Sequence, residues 1–409
     1  MERREVTKLL LASTIAGQST LLGSAPAIDR KLPDVVVVGS GAFGAWTAYA
    51  LRHQGHRVTL VDAYGPANSR SSSGGESRIT RCSYGNQDFY TRWAVESLVA
   101  WKQLQQRSAT KVFENTGVLA IAPAGDPYLD QSAMVMQRLG IRHERMNADE
   151  TMRRFPVFHL DSTESALFEP DSGALMARNS IQVLVNELVA QGVTYKTAAV
   201  RAPRGAGTLP KITTSSGESI AAGHYIFACG PWLPKAFPDL LGDRIRSDRA
   251  EVFFLGTPAG DQAYEPPAMP TWMDDYGVGG AYGFPSLDGR GCKVAVDSIV
   301  GPMDPDAGNR TVTAPYIAAM REFVRHRFPA LAEAPIVESR VCQYEMTADE
   351  NYILDRHPDF NNVWIAGGGS GHGFKTAPSV GRYMVQLVIE QGPANTMFSI
   401  TRPKASGQT

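Results

Sequence analysis

The chain has 409 residues, more than one ordinary core encloses, so two domains are expected. Apolar residues at 43% and charged residues at 20% fit a soluble globular protein, and 40 basic against 41 acidic residues nearly cancel, so nothing points to nucleic acid or an anionic membrane surface. The four cysteines, Cys82, Cys229, Cys292 and Cys342, are far apart and form no CxxC pair, which argues against a zinc site or a disulfide scaffold, and no histidine spacing suggests a metal.

Residues 1–32 read as a leader. Arg3-Arg4 and Lys8 precede the mildly apolar stretch Leu9–Leu22, and Ala25-Pro26-Ala27 follows as a small-residue cleavage candidate. The layout is that of an export signal, and the paired arginines resemble one read by the twin-arginine machinery. A periplasmic location is therefore expected, with a surface helix on a cytoplasmic protein as the alternative. The apolar run is too short and too polar for stable membrane insertion.

Val35–Val38 reads as a strand buried on both sides, Phe43–Gln54 as a helix, and Arg57–Val61 as a second strand ending at Asp62. Between strand and helix, Gly39, Gly41 and Gly44 fill a G-x-G-x-x-G pattern. The first glycine allows a tight turn, the second admits a pyrophosphate to the backbone, and the third lets helix and strand pack closely. Phosphates would sit on amides at the helix start, beside Ala42 and Phe43, and Asp62 is placed to accept from a ribose hydroxyl.

A polar loop covers 67–75, followed by ESRITR at Glu76–Arg81. Phe89–Gln106 has helical spacing, Thr116–Ala122 reads as a strand, and Asn147–Phe155 as a short helix whose cap is Asn147 with Glu150. Leu167–Ala177 leads by a strand and turn into a helix over Ser180–Gln191. Strands follow at Val193–Ala199, Ile212–Ser215 and Tyr225–Ala228. From Arg249 the pattern changes to short strands, Val252–Leu255, Pro270–Asp274, Gly280–Pro285 and Lys293–Val296, separated by Gly, Pro and Asp, which suggests an antiparallel sheet. A helix over Pro315–Arg327, strands at Val337–Tyr344 and Val363–Ala366, and a final helix over Pro378–Gln391 complete the chain. The nucleotide-binding domain is thus expected to be discontinuous, from 33–115, 178–248 and 336–399, with 116–177 and 249–335 forming the second domain.

Several motifs occur in a fixed order: GSGAFG at Gly39–Gly44, ESRITR at Glu76–Arg81, FEPDSG at Phe168–Gly173, YGFPS at Tyr282–Ser286, GCK at Gly291–Lys293, VCQYEMTADENYILD at Val341–Asp355 and GSGHGFK at Gly369–Lys375. With them the chain resembles the flavin-dependent amine oxidases of the monomeric sarcosine oxidase type, which include N-methyltryptophan oxidase. The resemblance runs from about Pro33 to about Pro403. It implies an α/β plus antiparallel β fold, with a Rossmann-like FAD-binding domain and a mainly antiparallel substrate domain.

The resemblance also implies roles. FAD would be bonded covalently to Cys342, Lys293 would promote reaction with molecular oxygen, and Arg81 with Lys375 would clamp a substrate carboxylate. Tyr282 and Tyr344 would line the substrate cavity. Gly39, Gly41, Ala42, Phe43, Gly44, Asp62, Arg78, Gly371, His372, Gly373 and Lys375 would surround the cofactor. The family's histidine four residues after the lysine is replaced by Asp297, which implies a different preferred amine, one carrying an extra cationic group, or a hydrogen bond to a neighbour.

The residues themselves are compatible with these roles and with plainer ones. An arginine offers a carboxylate a planar fork and a lysine a point charge, although either can be a solvated surface residue. A fixed cation near a flavin stabilises anionic superoxide as it develops, whereas a strand lysine can also face outward. A thioether needs an accessible thiolate, while most free cysteines are inert and buried, and Cys292 competes with Cys342 as attachment point. His372 has an ordinary pKa of about 6.5, so it could titrate at working pH as part of the cofactor's surroundings. The expected activity is FAD-dependent oxidation of the C–N bond of a small amino or N-alkylamino acid, giving an imine and hydrogen peroxide, by an enzyme most simply monomeric. A dehydrogenase passing electrons to a quinone or carrier, and a non-catalytic flavoprotein, are the alternatives.

Overall fold

A computed structural model describes residues 34–276, 280–296 and 301–403. The expected leader, 1–32, and Asp297 lie outside the described residues.

The first βαβ unit forms as its pattern dictates. Strand Val35–Val38 leads into helix Ala42–His53, and strand Val58–Asp62 returns parallel, pairing Val35 with Val58 and Val38 with Val61. They belong to a six-stranded sheet ordered 353–356, 363–367, 224–227, 35–38, 58–62 and 194–197, parallel except at the edge strand Ile353–Arg356. Side chains alternate across a strand, so Val35 and Val37 pack towards the helices and Val36 and Val38 towards the other face. Burial on both faces is why the run is continuously apolar. The helix layer is formed by Ala42–His53, Ala177–Ala190 and Gly373–Val388. On the opposite face sits a small antiparallel sheet of Val200–Arg201, Lys211–Thr214 and Ser219–Ala221.

The larger, nine-stranded sheet belongs to the second half of the architecture. It runs 301–302, 246–255, 292–296, 281–284, 271–274, 118–123, 164–169 and 144–147, and Ile336–Met346 also pairs with Arg246–Leu255. It is mainly antiparallel, with one parallel pair between Thr271–Asp274 and Val118–Pro123. Helix Ala314–Arg327 covers one face through Met320, Phe323 and Val324. Strand Arg246–Leu255 runs across one position expected to separate the two domains, 248/249, and Ile336–Met346, which starts at the other, 335/336, pairs with it in the large sheet.

Among the differences from expectation are two of the longer helices. Helix Pro127–Arg138 is additional, although Asp126 accepts from the Leu129 amide at 3.0 Å and Pro127 opens the first turn, both start signals. The final helix begins at Gly373, not at Pro378, which lies inside it. Proline normally marks a first turn, but here Thr376, Ala377 and Pro378 are all buried and packing overrides the local signal. The short helix Ala148–Arg154 carries its full capping box, with Asn147 and Glu150 bonded reciprocally at 2.9 Å. No helix among the described residues is long and apolar enough to cross a membrane.

Candidate active site

A cavity of about 1410 Å³ opens at the carboxyl end of the parallel strands, the usual ligand position of such a sheet. Gly39 has φ +104°, and a Cβ there would lie 2.3 Å from the Ala228 carbonyl oxygen. A Cβ on Gly44 would lie 1.8 Å from the Gly39 oxygen, so strand and helix approach too closely for any side chain. Helices Ala42–His53 and Gly373–Val388 both start at this cavity, neither capped by the side chain of its own N-cap residue. Their positive ends would favour an anionic group placed there. Asp62 lines the wall; Oδ2 accepts from the Ser40 amide at 2.7 Å, and Oδ1 from the Tyr64 and Gly65 amides at 2.8 and 2.9 Å. Oδ1 is thereby filled, and Oδ2 keeps a second lone pair for a ribose hydroxyl.

Strand alternation in the large sheet positions a further group of candidate residues close to Arg78 and Tyr344, which line the cavity. In Cys292–Val296, residues 292, 294 and 296 enter the core beneath helix Ala314–Arg327, which turns Lys293 and Ala295 to the opposite face. Lys293 is 2% exposed; its Nζ donates to the Ser77 carbonyl oxygen at 3.2 Å and lies 4.8 Å from the Phe284 ring centre and 5.8 Å from that of Tyr282. Burial, reinforced by Arg78, lowers its pKa to about 7. The Tyr282 and Tyr344 hydroxyls are 3.0 Å apart.

Cys342 is 7% exposed, with Arg78 Nη2 at 3.2 Å from its sulfur. Burial alone would raise its pKa, but Arg78, Arg340 and Lys293 together hold the thiol below its ordinary value. Cys292 is different: it packs between Tyr264 and Met269 in the core of the large sheet, and burial pushes it up to about 12. Only Cys342 has the electropositive surroundings of a reactive cysteine.

Arg81 and Lys375, 294 residues apart (375 − 81), meet at Tyr84. The Arg81 guanidinium carbon lies 4.6 Å from the ring centre, and Lys375 Nζ is 3.0 Å from the hydroxyl. Arg81 Nη1 is buried without a hydrogen-bond partner. A buried donor left in this state calls for an acceptor from outside the chain. Lys375, on the first turn of its helix rather than in the preceding loop, is 5% exposed. His372 does not titrate near neutrality, because burial and the adjacent Lys375 lower its pKa to about 3.

Three residues not singled out from the sequence complete the site. Buried Glu169 accepts from the Cys82 and Ser83 amides at 2.6 and 3.0 Å and from Ser172 Oγ at 2.7 Å, fixing the segment that carries Arg81 and Tyr84. Ser73 Oγ accepts from the Ala42 amide at 3.0 Å. Glu345 lines the cavity, held by the Gly369 and Gly368 amides, and burial raises its pKa to about 7; its Oε2 is buried without a partner. No local pattern marks these positions, although both acids lie within quoted motifs, Glu169 in FEPDSG and Glu345 in VCQYEMTADENYILD.

A Rossmann-like glycine turn, two helix starts, and a buried thiol among cations define a flavoprotein oxidoreductase. The chain belongs to the FAD-dependent oxidoreductase (DAO) family, whose model matches residues 34–387. It is 32% identical to monomeric sarcosine oxidase of Bacillus sp. (strain B-0618) over 377 residues, covering 90% of this chain and 96% of that one. It is 27% identical to N-methyl-L-tryptophan oxidase of Yersinia pestis (strain Pestoides F), covering 90% and 99%. The solved L-proline dehydrogenase of P. horikoshii has the same fold, with a TM-score of 0.77 at 19% identity, covering 91% of this chain and 97% of that one. The protein is an FAD-dependent enzyme of the amine-oxidase class, and the glycine cradle, the helix starts and the partnerless Glu345 oxygen fit that cofactor.

Proposed function

We propose that the enzyme oxidises the C–N bond of a small amino or N-alkylamino acid, held by its carboxylate between Arg81 and Lys375. The observation that carries this reading is the meeting of these two basic side chains at Tyr84, with a buried Arg81 N–H lacking a partner. The chemistry that FAD would supply when bound is two-electron: acceptance of a hydride equivalent from the carbon beside nitrogen and its return to oxygen as hydrogen peroxide.

The chain's own residues bind and orient. Arg81 gives the carboxylate a planar pair of donors and Lys375 a point charge, which fixes the reacting carbon relative to the cofactor. Tyr282 and Tyr344, with hydroxyls 3.0 Å apart, bound the substrate space on the large-sheet side. Lys293 presents a cation where oxygen acquires negative charge, in a site dry enough for that charge to count. Cys342, with its thiol favoured as thiolate by Arg78, is the attachment point for FAD.

The test is anaerobic flavin bleaching by matched pairs, each an N-methylamino acid and the amine lacking only the carboxylate. The acid should bleach the flavin, and admitting oxygen should release peroxide in equal amount. Equal bleaching by the decarboxylated amine would overturn the assignment.

A further inference from the structure

The titratable and charged groups facing Lys375 are Arg81, Cys82 and Tyr84 from 78–84, Glu169 from strand Glu164–Glu169, and His372 from the start of its own helix. Glu169 is already committed to three donors, and no carboxylate forms an ion pair with Lys375 among the described residues. A buried ammonium beside a permanent guanidinium, with no counter-ion, is electrostatically the wrong form of the group.

The hydroxyls around it can serve both forms. His372 Nε2 lies 3.0 Å from the Glu350 carbonyl oxygen, which only accepts, so Nε2 carries the proton and Nδ1 is the acceptor. That single acceptor has two suitors, the Tyr352 hydroxyl at 2.9 Å and the Tyr84 hydroxyl at 3.2 Å. Tyr352 has a second acceptor in Thr376 Oγ1 at 2.8 Å, while Thr376 donates to the Gly373 carbonyl. With Lys375 neutral, Tyr84 donates to Nζ and Tyr352 to His372. With Lys375 charged, Nζ donates to Tyr84, Tyr84 to His372, and Tyr352 to Thr376. Every hydroxyl is satisfied either way, and no side chain has to move.

We propose that Lys375 is a neutral amine in the substrate-free enzyme and gains a proton when a carboxylate docks against Arg81, so that the group gripping the acid is also the base that receives the substrate's amine proton. This rests on the carboxylate clamp proposed above. For a zwitterionic amino acid one N–H bond of the substrate ammonium breaks and one N–H bond forms on Nζ; no electrons are transferred, and the complex exchanges no net proton with solvent. The substrate nitrogen is left neutral, the form from which the adjacent carbon gives up a hydride. A carboxylate without nitrogen must draw the proton from water instead. Burial, with Arg81 beside it, holds the Lys375 pKa well below the ordinary amine value, in line with this assignment.

The experiment is calorimetric titration of the oxidised holoenzyme with propionate, in buffers of different ionisation heat. Uptake of about one proton per propionate is expected, and wherever it occurs affinity should fall about tenfold per pH unit. Lys375→Arg should bind propionate with no proton uptake and little pH dependence, because its charge is permanent. Binding to the unmodified enzyme without uptake, or the same uptake in K375R, overturns the inference and leaves the clamp standing. If propionate produces neither heat nor a change in the flavin spectrum, the clamp fails and the inference with it.

Discussion

Arg78 Nη2 lies 3.2 Å from the sulfur of Cys342, although the two residues are 264 positions apart. The guanidinium also donates to the carbonyls of Ser77 and Ser72, so it is held in place as a fixed charge. Arg78 is the strongest of the three cations that counter the effect of burial on this thiol. Cys342→Ser should still bind FAD but release all of it on denaturation. Arg78→Gln should lower the fraction of protein that retains flavin after acid precipitation, a measurement made by absorbance of the pellet. Full retention in C342S would rule out this attachment point.

Lys293 is expected to act on the oxygen step alone. Lys293→Met should slow reoxidation by about 10²–10³-fold, the usual cost of removing one charge-stabilising group, and leave anaerobic reduction nearly unchanged. Because burial lowers its pKa to about 7, the cation is present below that value and lost above it. Stopped-flow reoxidation should therefore slow as pH rises through this region, and Lys293→Arg should remove that fall.

Glu345 links stability to pH. Its folded-state pKa is raised to about 7 by burial, above the ordinary glutamate value of about 4.3. Its contribution to stability is complete below the unfolded value and is lost as pH rises through the folded one. Cofactor-free Glu345→Gln should therefore gain stability relative to the unmodified apoprotein at pH 8, by about 1–3 kcal/mol, and gain little at pH 4. Denaturant midpoints at the two pH values measure the difference.

Glu169 supports the site through the backbone. Glu169→Ala would leave the buried Cys82 and Ser83 amides without their acceptor, at a cost of about 2–5 kcal/mol. Since these amides fix the approach to Tyr84, propionate affinity should fall as well. Chemical denaturation and the calorimetric titration report the two effects separately.

Much of the fold was legible in the chain because its signals are local. The valine run, the three glycines and the terminal Asp62 specify a βαβ turn by sterics and periodicity within thirty residues. The reciprocal cap of Asn147 and Glu150 needed only a spacing of three. The start of the last helix was misread for the same reason. Pro378 is a local stop-or-start sign, and only packing against helix Ala42–His53 explains why the helix extends five residues before it; a Cβ on Gly381 would lie 2.4 Å from the Trp46 oxygen, so close is the approach.

By itself the sequence determined the order of motifs, the nucleotide-binding turn, and which residues carry charge or a thiol. Tertiary structure alone decided which of those charges lose their water and which partners they meet. Arg78 lies against Cys342, Arg81 and Lys375 share Tyr84, and His372 is held neutral by burial. Charge is a property of a residue, but its cost and its strength depend on the dielectric and the neighbours around it, and these exist only once distant segments have packed.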